Sequence, residues 1–138
     1  MANFEPRGFS HIIYPVTDMD AVVKFFTEAL GFYFQRYSTA IDEAYVGLGD
    51  TLLNLTHHDQ NPNRTVYEFG LTVDDMDVAI KHLESHGAVV SKAVWEGRSF
   101  WGRQVVMDIP GGSPIALREW RSGDGPHFTN WSLEGEPK

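Results

Sequence analysis

A chain of 138 residues has room for one domain of ordinary size. Its 11 Lys and Arg against 19 Asp and Glu leave a net charge of −8, and 42% of the residues are hydrophobic. That much apolar material supports a packed core and excludes wholesale disorder, while the acidity excludes nucleic acid and anionic membranes as expected partners. There is no Cys, which removes a disulfide framework, a thiolate nucleophile and a Cys-based zinc site. No apolar run approaches the roughly 20 residues of a membrane span, and the opening MANFEPRG lacks the basic start and apolar core of a signal peptide. A cytoplasmic protein is the expectation.

The elements fall into two copies of one pattern. Residues 11–31, HIIYPVTDMDAVVKFFTEALG, resemble residues 68–87, EFGLTVDDMDVAIKHLESHG. An offset of 57 residues brings Val16 onto Val73, Asp18 onto Asp75, Met19 onto Met76, Asp20 onto Asp77 and Lys24 onto Lys81. The glycines that follow, Gly31 and Gly87, differ by one place. Two copies make a duplicated module, whereas a solenoid needs more.

Alternation at Ile12, Tyr14 and Val16 predicts a first strand. Asp18 then caps a helix whose apolar face holds Val22, Phe25, Phe26 and Ala29, with Gly31 as its stop. Three strand-like segments follow at 32–38, 44–48 and 51–56, the last two joined by a Gly49–Asp50 turn. Residues 57–65, HHDQNPNRT, read as a linker. The second copy repeats the order. Its strand carries Tyr67, Phe69, Leu71 and Val73, and Asp74 or Asp75 caps a helix bearing Val78, Ala79 and Leu83. Gly87 ends that helix, and strands follow at 88–95, 101–108 and 114–120. Residues 121–138 form a tail rich in Gly and Pro whose Phe128, Trp131 and Leu133 suggest docking. The expected class is α+β: one domain of two βαβββ modules, 9–56 and 66–120, forming a curled mixed sheet around a cleft.

Paired βαβββ modules in about 130 residues resemble the vicinal oxygen chelate superfamily, a group that includes glyoxalase I, extradiol dioxygenases and the bleomycin-resistance proteins. The resemblance covers residues 9–120 and rests on His11, FFTEALGF (25–32), GDTLLNLT (49–56), LTVDDMD (71–77) and WGRQVVMDIPGG (101–112). Metal-using members hold a divalent cation with His, Gln or Glu from the first and last strands of each module. The resemblance maps those positions to His11, Asn54, Glu68 and Ala116, and the repeat offset independently pairs His11 with Glu68. Asn54 is a weak neutral ligand and Ala116 is none, so no metal or other cofactor is favoured. If a divalent metal binds, His11 and Glu68 are its ligands.

Strand alternation sorts the remaining side chains. His11, Ile13, Leu52, Asn54, Thr56, Glu68, Gly70, Thr72, Ala116, Arg118 and Trp120 are expected in the cleft. Their neighbours Ile12, Tyr14, Val16, Leu53, Leu55, Phe69, Leu71, Val73, Ile115 and Leu117 are expected in the core. Tyr45 joins the cleft, and Trp101 and Arg103 are further candidates. Glu68 lies in an otherwise apolar strand, a setting that suits a general base, with His11 as proton donor or orienting group. Each also has a purely structural alternative, a hydrogen-bonded His11 or a Glu68–Arg118 ion pair. Asn54, Arg118, Trp120, Tyr45, Trp101 and Arg103 are the expected substrate-binding residues.

The resemblance implies three readings of function. The first is metal-independent acid–base chemistry of the isomerase, lyase or cyclase type on a carbonyl or hydroxylated compound. The second is binding or sequestration of a small molecule without catalysis. The third is a metal-dependent lyase or dioxygenase. A homodimer is the expected assembly.

Overall fold

The computed structural model describes residues 4, 10–57, 69–96 and 101–120, and the chain divides into two compact units, Met1–Val66 and Tyr67–Lys138. Glu68, most of the linker and the tail at 121–138 lie outside the described residues, as do the side chains of Trp101 and Trp120.

In the first unit the strands are β1 (His11–Val16), β2 (Tyr33–Ser38), β3 (Glu43–Leu48) and β4 (Thr51–His57), ordered β1-β4-β3-β2. β1 runs parallel to β4 and the other pairings are antiparallel. The helix between β1 and β2 makes the parallel return of the chain possible. One face of the sheet carries Tyr14, Leu53, Leu55, Ala44 and Val46, all buried, and Val22 and Phe26 are buried with them. Phe26 meets Tyr14 and Phe32 edge-on at ring-centroid distances of 5.3 Å and 5.0 Å, a favourable quadrupolar arrangement. Ile12 departs from the expected core: it is 38% exposed, near the start of a strand at the edge of this sheet.

The helix of this unit has two parts, α1 (Met19–Lys24) and a π-helical turn at Phe25–Ala29. Asp18 caps α1 by accepting from the Ala21 N–H at 3.1 Å. Leu30 N–H donates to Phe25 O, the wider π spacing. The repeat explains the turn. The first copy has one more residue than the second between capping Asp and glycine, and one widened turn absorbs it while Phe25, Phe26 and Ala29 stay buried.

The second unit repeats the topology with β5 (Gly70–Val73), α2 (Met76–Ser85), β6 (Val89–Glu96), β7 (Trp101–Asp108) and β8 (Ile115–Trp120), ordered β5-β8-β7-β6. β5 is parallel to β8 and the rest are antiparallel. Two four-stranded mixed sheets with helices between their first strands are the α+β pattern the sequence implied. Asp75, not Asp74, caps α2 by accepting from Val78 N–H. Phe69, Val105, Met107, Ile115, Leu117, Met76 and Leu83 are buried, whereas Leu71 and Val73, on an edge strand, are only half-buried.

Candidate functional site

Register assigns the face of each sheet opposite its buried side chains. In the first unit His11, Leu52, Gly47 and Tyr33 form one row across the sheet, and Ile13, Asn54, Tyr45 and Arg36 form the next. Directly paired residues share a face, so both rows lie opposite Tyr14, Leu53 and Val46. His11, Asn54 and Tyr45 therefore lie on one face, as the alternation implied. His11 is exposed, while Asn54 and Tyr45 are half-buried. Thr56 differs from its expected exposure in a cleft: it is fully buried beside Pro15.

Three contacts organise this face. The Arg36 guanidinium sits 5.6 Å from the centroid of the Tyr45 ring, a cation–π stack. The Tyr33 ring crosses Gly47, and its hydroxyl donates to Gly49 O at 3.2 Å. Ser10 Oγ lies 2.7 Å from His11 Nδ1, which leaves Nε2 as the ring nitrogen without a partner among the described residues. Asn54 Oδ1 and Thr56 Oγ1 are buried and have no hydrogen-bond partner among the described residues. Two such atoms two residues apart on one strand are unusual, because buried polar groups are nearly always paired.

The second unit presents the rows Gly70–Ala116–Val106–Lys92 and Thr72–Arg118–Gln104–Trp95 on the corresponding face. Ala116 is buried, Arg118 half-buried and Gln104 8% exposed. Lys92 Nζ lies 4.3 Å from the Trp95 ring centroid, so each unit carries a cation stacked on an aromatic ring beside its second module strand. β2 and β6 both contain register shifts, between Phe34 and Arg36 and between Val90 and Trp95. These bulges break the simple alternation that would have placed Tyr33, Arg36, Lys92 and Trp95 on the open faces from sequence. Gln104 pairs with Arg118, and its place on this face follows from that register.

Arg103, expected to bind substrate, has the parity of Val105 and Met107, opposite that of Gln104, and so lies on the helix-bearing face. Its Nε donates to Glu119 Oε1 at 2.8 Å and its Nη2 to Glu119 Oε2 at 3.1 Å, while Nη1 reaches Asp77 at 3.1 Å. Glu119 also accepts from Met76 N–H at 2.6 Å, in the first turn of α2. The Arg103 hydrogen bonds hold the Glu119 carboxyl below the usual carboxylate range, against burial, and the Met76 N–H adds to the effect. The WGR arginine is thus a clamp between two strands and a helix end. Trp101 and Trp120 pair across β7 and β8 in the backbone.

A hollow of about 570 Å³ lies beside the start of α1, lined by Asp18, Asp20, Tyr37, Asp42 and His57 among others. His57 Nε2 pairs with Asp42 Oδ2 at 3.1 Å. His57 belongs to β4 and not to the expected linker.

Ala116 contributes no donor and Asn54 only a neutral amide. Among the described residues no three His, Asp or Glu side chains converge to hold a cation. Glu68, at the remaining ligand position, lies outside the described residues.

The duplicated β-α-β-β-β topology and this pair of open faces define a class. The chain matches the model of the Glyoxalase/Bleomycin resistance protein/Dioxygenase superfamily over residues 8–115 and belongs to that superfamily. Among solved structures, it is similar to an antibiotic binding protein, TnmS3, from Streptomyces sp. CB03234, with 22% identity and a TM-score of 0.70 over 86% of this chain and 100% of that one. A lactoylglutathione lyase from Agrobacterium tumefaciens gives 17% identity and a TM-score of 0.64 over 83% and 94%. A superfamily member from Sphaerobacter thermophilus gives 20% identity and a TM-score of 0.67 over 83% and 98%. Such identities speak to fold and not to chemistry. No curated protein sequence matches the chain. Among the described residues no helix is long and apolar enough to cross a membrane.

Proposed function

We propose that the protein is a small-molecule enzyme using metal-independent acid–base chemistry, of isomerase, lyase or cyclase type, on a carbonyl or hydroxylated compound. The observation that carries this reading is the donor chemistry at the superfamily's ligand positions. Asn54 and a buried Ala116 stand where the resemblance expects carboxylates. Chemistry that needs a cation with open coordination positions is poorly served by that set.

Glu68 is the proposed base. It is the repeat equivalent of His11, and its sequence neighbours are apolar. His11 is the proposed proton donor or orienting group. Its Nδ1 contact with Ser10 Oγ leaves Nε2 for a substrate oxygen. The Asn54 amide N–H would donate to negative charge developing on that oxygen.

The test uses wild type and Glu68→Gln with a panel of small 2-oxo and hydroxylated compounds in deuterated solvent. Wild type should convert at least one compound or exchange the hydrogen beside its carbonyl. Glu68→Gln should be slower by about 100-fold or more, within the range for loss of a general base. Binding without conversion or exchange by wild type would overturn the enzyme reading.

That outcome is the second reading, sequestration of a small molecule. The stacked pairs Arg36–Tyr45 and Lys92–Trp95 favour it, since flat cation-backed aromatic surfaces suit ligand capture. The description of one structural neighbour as an antibiotic binding protein is consistent with it. For either reading we propose a homodimer. Light scattering should show twice the 15.6 kDa of one chain at micromolar concentration, and a particle of one chain would refute the pairing.

A further inference from the structure

Asn54 Oδ1 and Thr56 Oγ1 are buried polar atoms without a partner among the described residues, on the same face of β4, and Thr56 is fully buried. A buried acceptor or hydroxyl without a partner loses its water and gains nothing in return, so each costs the fold free energy. Such a cost is retained where the group serves something other than stability. The neighbours on the same row indicate what that is. Tyr45 is directly paired with Asn54, and Arg36 is directly paired with Tyr45. The Arg36 guanidinium lies over the Tyr45 ring and has no ion-pair partner among the described residues. The row therefore runs from an unsatisfied amide, across an aromatic ring, to an unpaired cation. Adjacent strands are about 4.8 Å apart, so the row spans roughly 10 Å between its outer Cα atoms. That length suits a single planar ring with polar groups at opposite ends.

Resting on the small-molecule reading above, we propose that this face binds a planar acid bearing a hydroxyl or N–H group at the end opposite its carboxylate. Asn54 Oδ1 accepts from that group, the Tyr45 ring supports the ligand plane, and Arg36 donates to the carboxylate. The ligand is an anion although the chain carries a net charge of −8, because the local charge on the row is positive.

The probes are 4-hydroxybenzoate, 4-methoxybenzoate, which lacks the donor, and 4-hydroxybenzamide, which lacks the charge. Binding is followed on the full chain by NMR titration up to about 10 mM, the range of weak single-ring ligands. 4-Hydroxybenzoate should saturate, and each of the other two should bind at least about tenfold more weakly, as loss of one charged or buried hydrogen bond implies. Asn54→Leu and Arg36→Ala should each weaken 4-hydroxybenzoate by about tenfold. Thr56→Val keeps the shape and removes the unsatisfied hydroxyl. It should leave the urea midpoint equal or higher.

Equal affinity for the methyl ether, or affinity unchanged in both Asn54→Leu and Arg36→Ala, would overturn the inference and leave the small-molecule reading standing. A lower urea midpoint in Thr56→Val would also overturn it, because the hydroxyl would then be paired within the fold. If none of the three probes binds, the assigned ligand class is wrong, and the Glu68→Gln exchange assay separately decides the enzyme reading.

Discussion

Replacing Gly47 by Ala tests the geometry of the first open face through a second residue. A Cβ at Gly47 would clash with the hydroxyl end of the Tyr33 side chain, with Tyr33 Cε2 at 2.7 Å. Tyr33 is 47% exposed, so the ring can swing away instead of forcing the strand apart. In doing so it gives up its hydrogen bond to Gly49 O, worth about 0.5–1 kcal/mol. It also gives up apolar contact on the strand, about 40 Å² or ~1 kcal/mol at ~25 cal/mol per Å². Ala in a strand interior recovers roughly 0.5 kcal/mol over Gly. The net expectation for Gly47→Ala is a loss of about 1 kcal/mol. In a Tyr33→Ala background the clash is gone, and the same change should be neutral or stabilising by about 0.5 kcal/mol. The cycle of four proteins, measured by urea unfolding, should therefore show a coupling of about 1.5 kcal/mol. Additivity within about 0.5 kcal/mol would refute the placement of Tyr33 over Gly47.

Further outcomes follow from other contacts. Glu119→Gln should lose about 1 kcal/mol at neutral pH, less than a fully buried charged hydrogen bond because solvent screens the pair. Arg103 holds the folded carboxyl below its unfolded value of 4.5, so this stability is present above pH 4.5 and fades as pH falls through the lower folded value. Urea midpoints of wild type and Glu119→Gln should therefore converge in acid; a gap that widens on acidification would contradict the assignment. Phe26→Ala should cost about 3–5 kcal/mol by chemical denaturation, since a fully buried ring with two edge-on partners leaves a cavity. Asp18→Ala and Asp75→Ala remove equivalent caps from the two repeats, and each should cost about 1 kcal/mol. A loss in only one would show that the equivalence is formal.

The duplication made the fold legible. The repeat placed the first helix cap at Asp18 and left the second between Asp74 and Asp75, of which the structure selects Asp75, and alternation predicted the buried positions Tyr14, Leu53, Leu55, Ile115 and Leu117. The one-residue difference before Gly31 and Gly87 was visible, but its consequence was not. An extra residue can enter a helix, a loop or a turn, and only packing of Phe25, Phe26 and Ala29 selected a π turn. The open faces were legible where strands are regular, at His11, Asn54 and Tyr45. They were obscured on β2 and β6, where bulges shift the alternation and hid Arg36, Lys92 and Trp95. The pairing of Arg103 was not legible, because the side of β7 it occupies depends on register with β8, and its carboxylate partners come from β8 and α2. Charge alone could not distinguish a clamp from a ligand contact.

The most direct test of a metal-independent site is elemental analysis of the protein, purified without chelators from cells grown with added zinc, iron, nickel and manganese. Occupancy below about a tenth of an equivalent per chain is the predicted result, since Asn54 and Ala116 leave too few donors to retain a cation through purification. One equivalent of a single transition metal per chain would contradict the account.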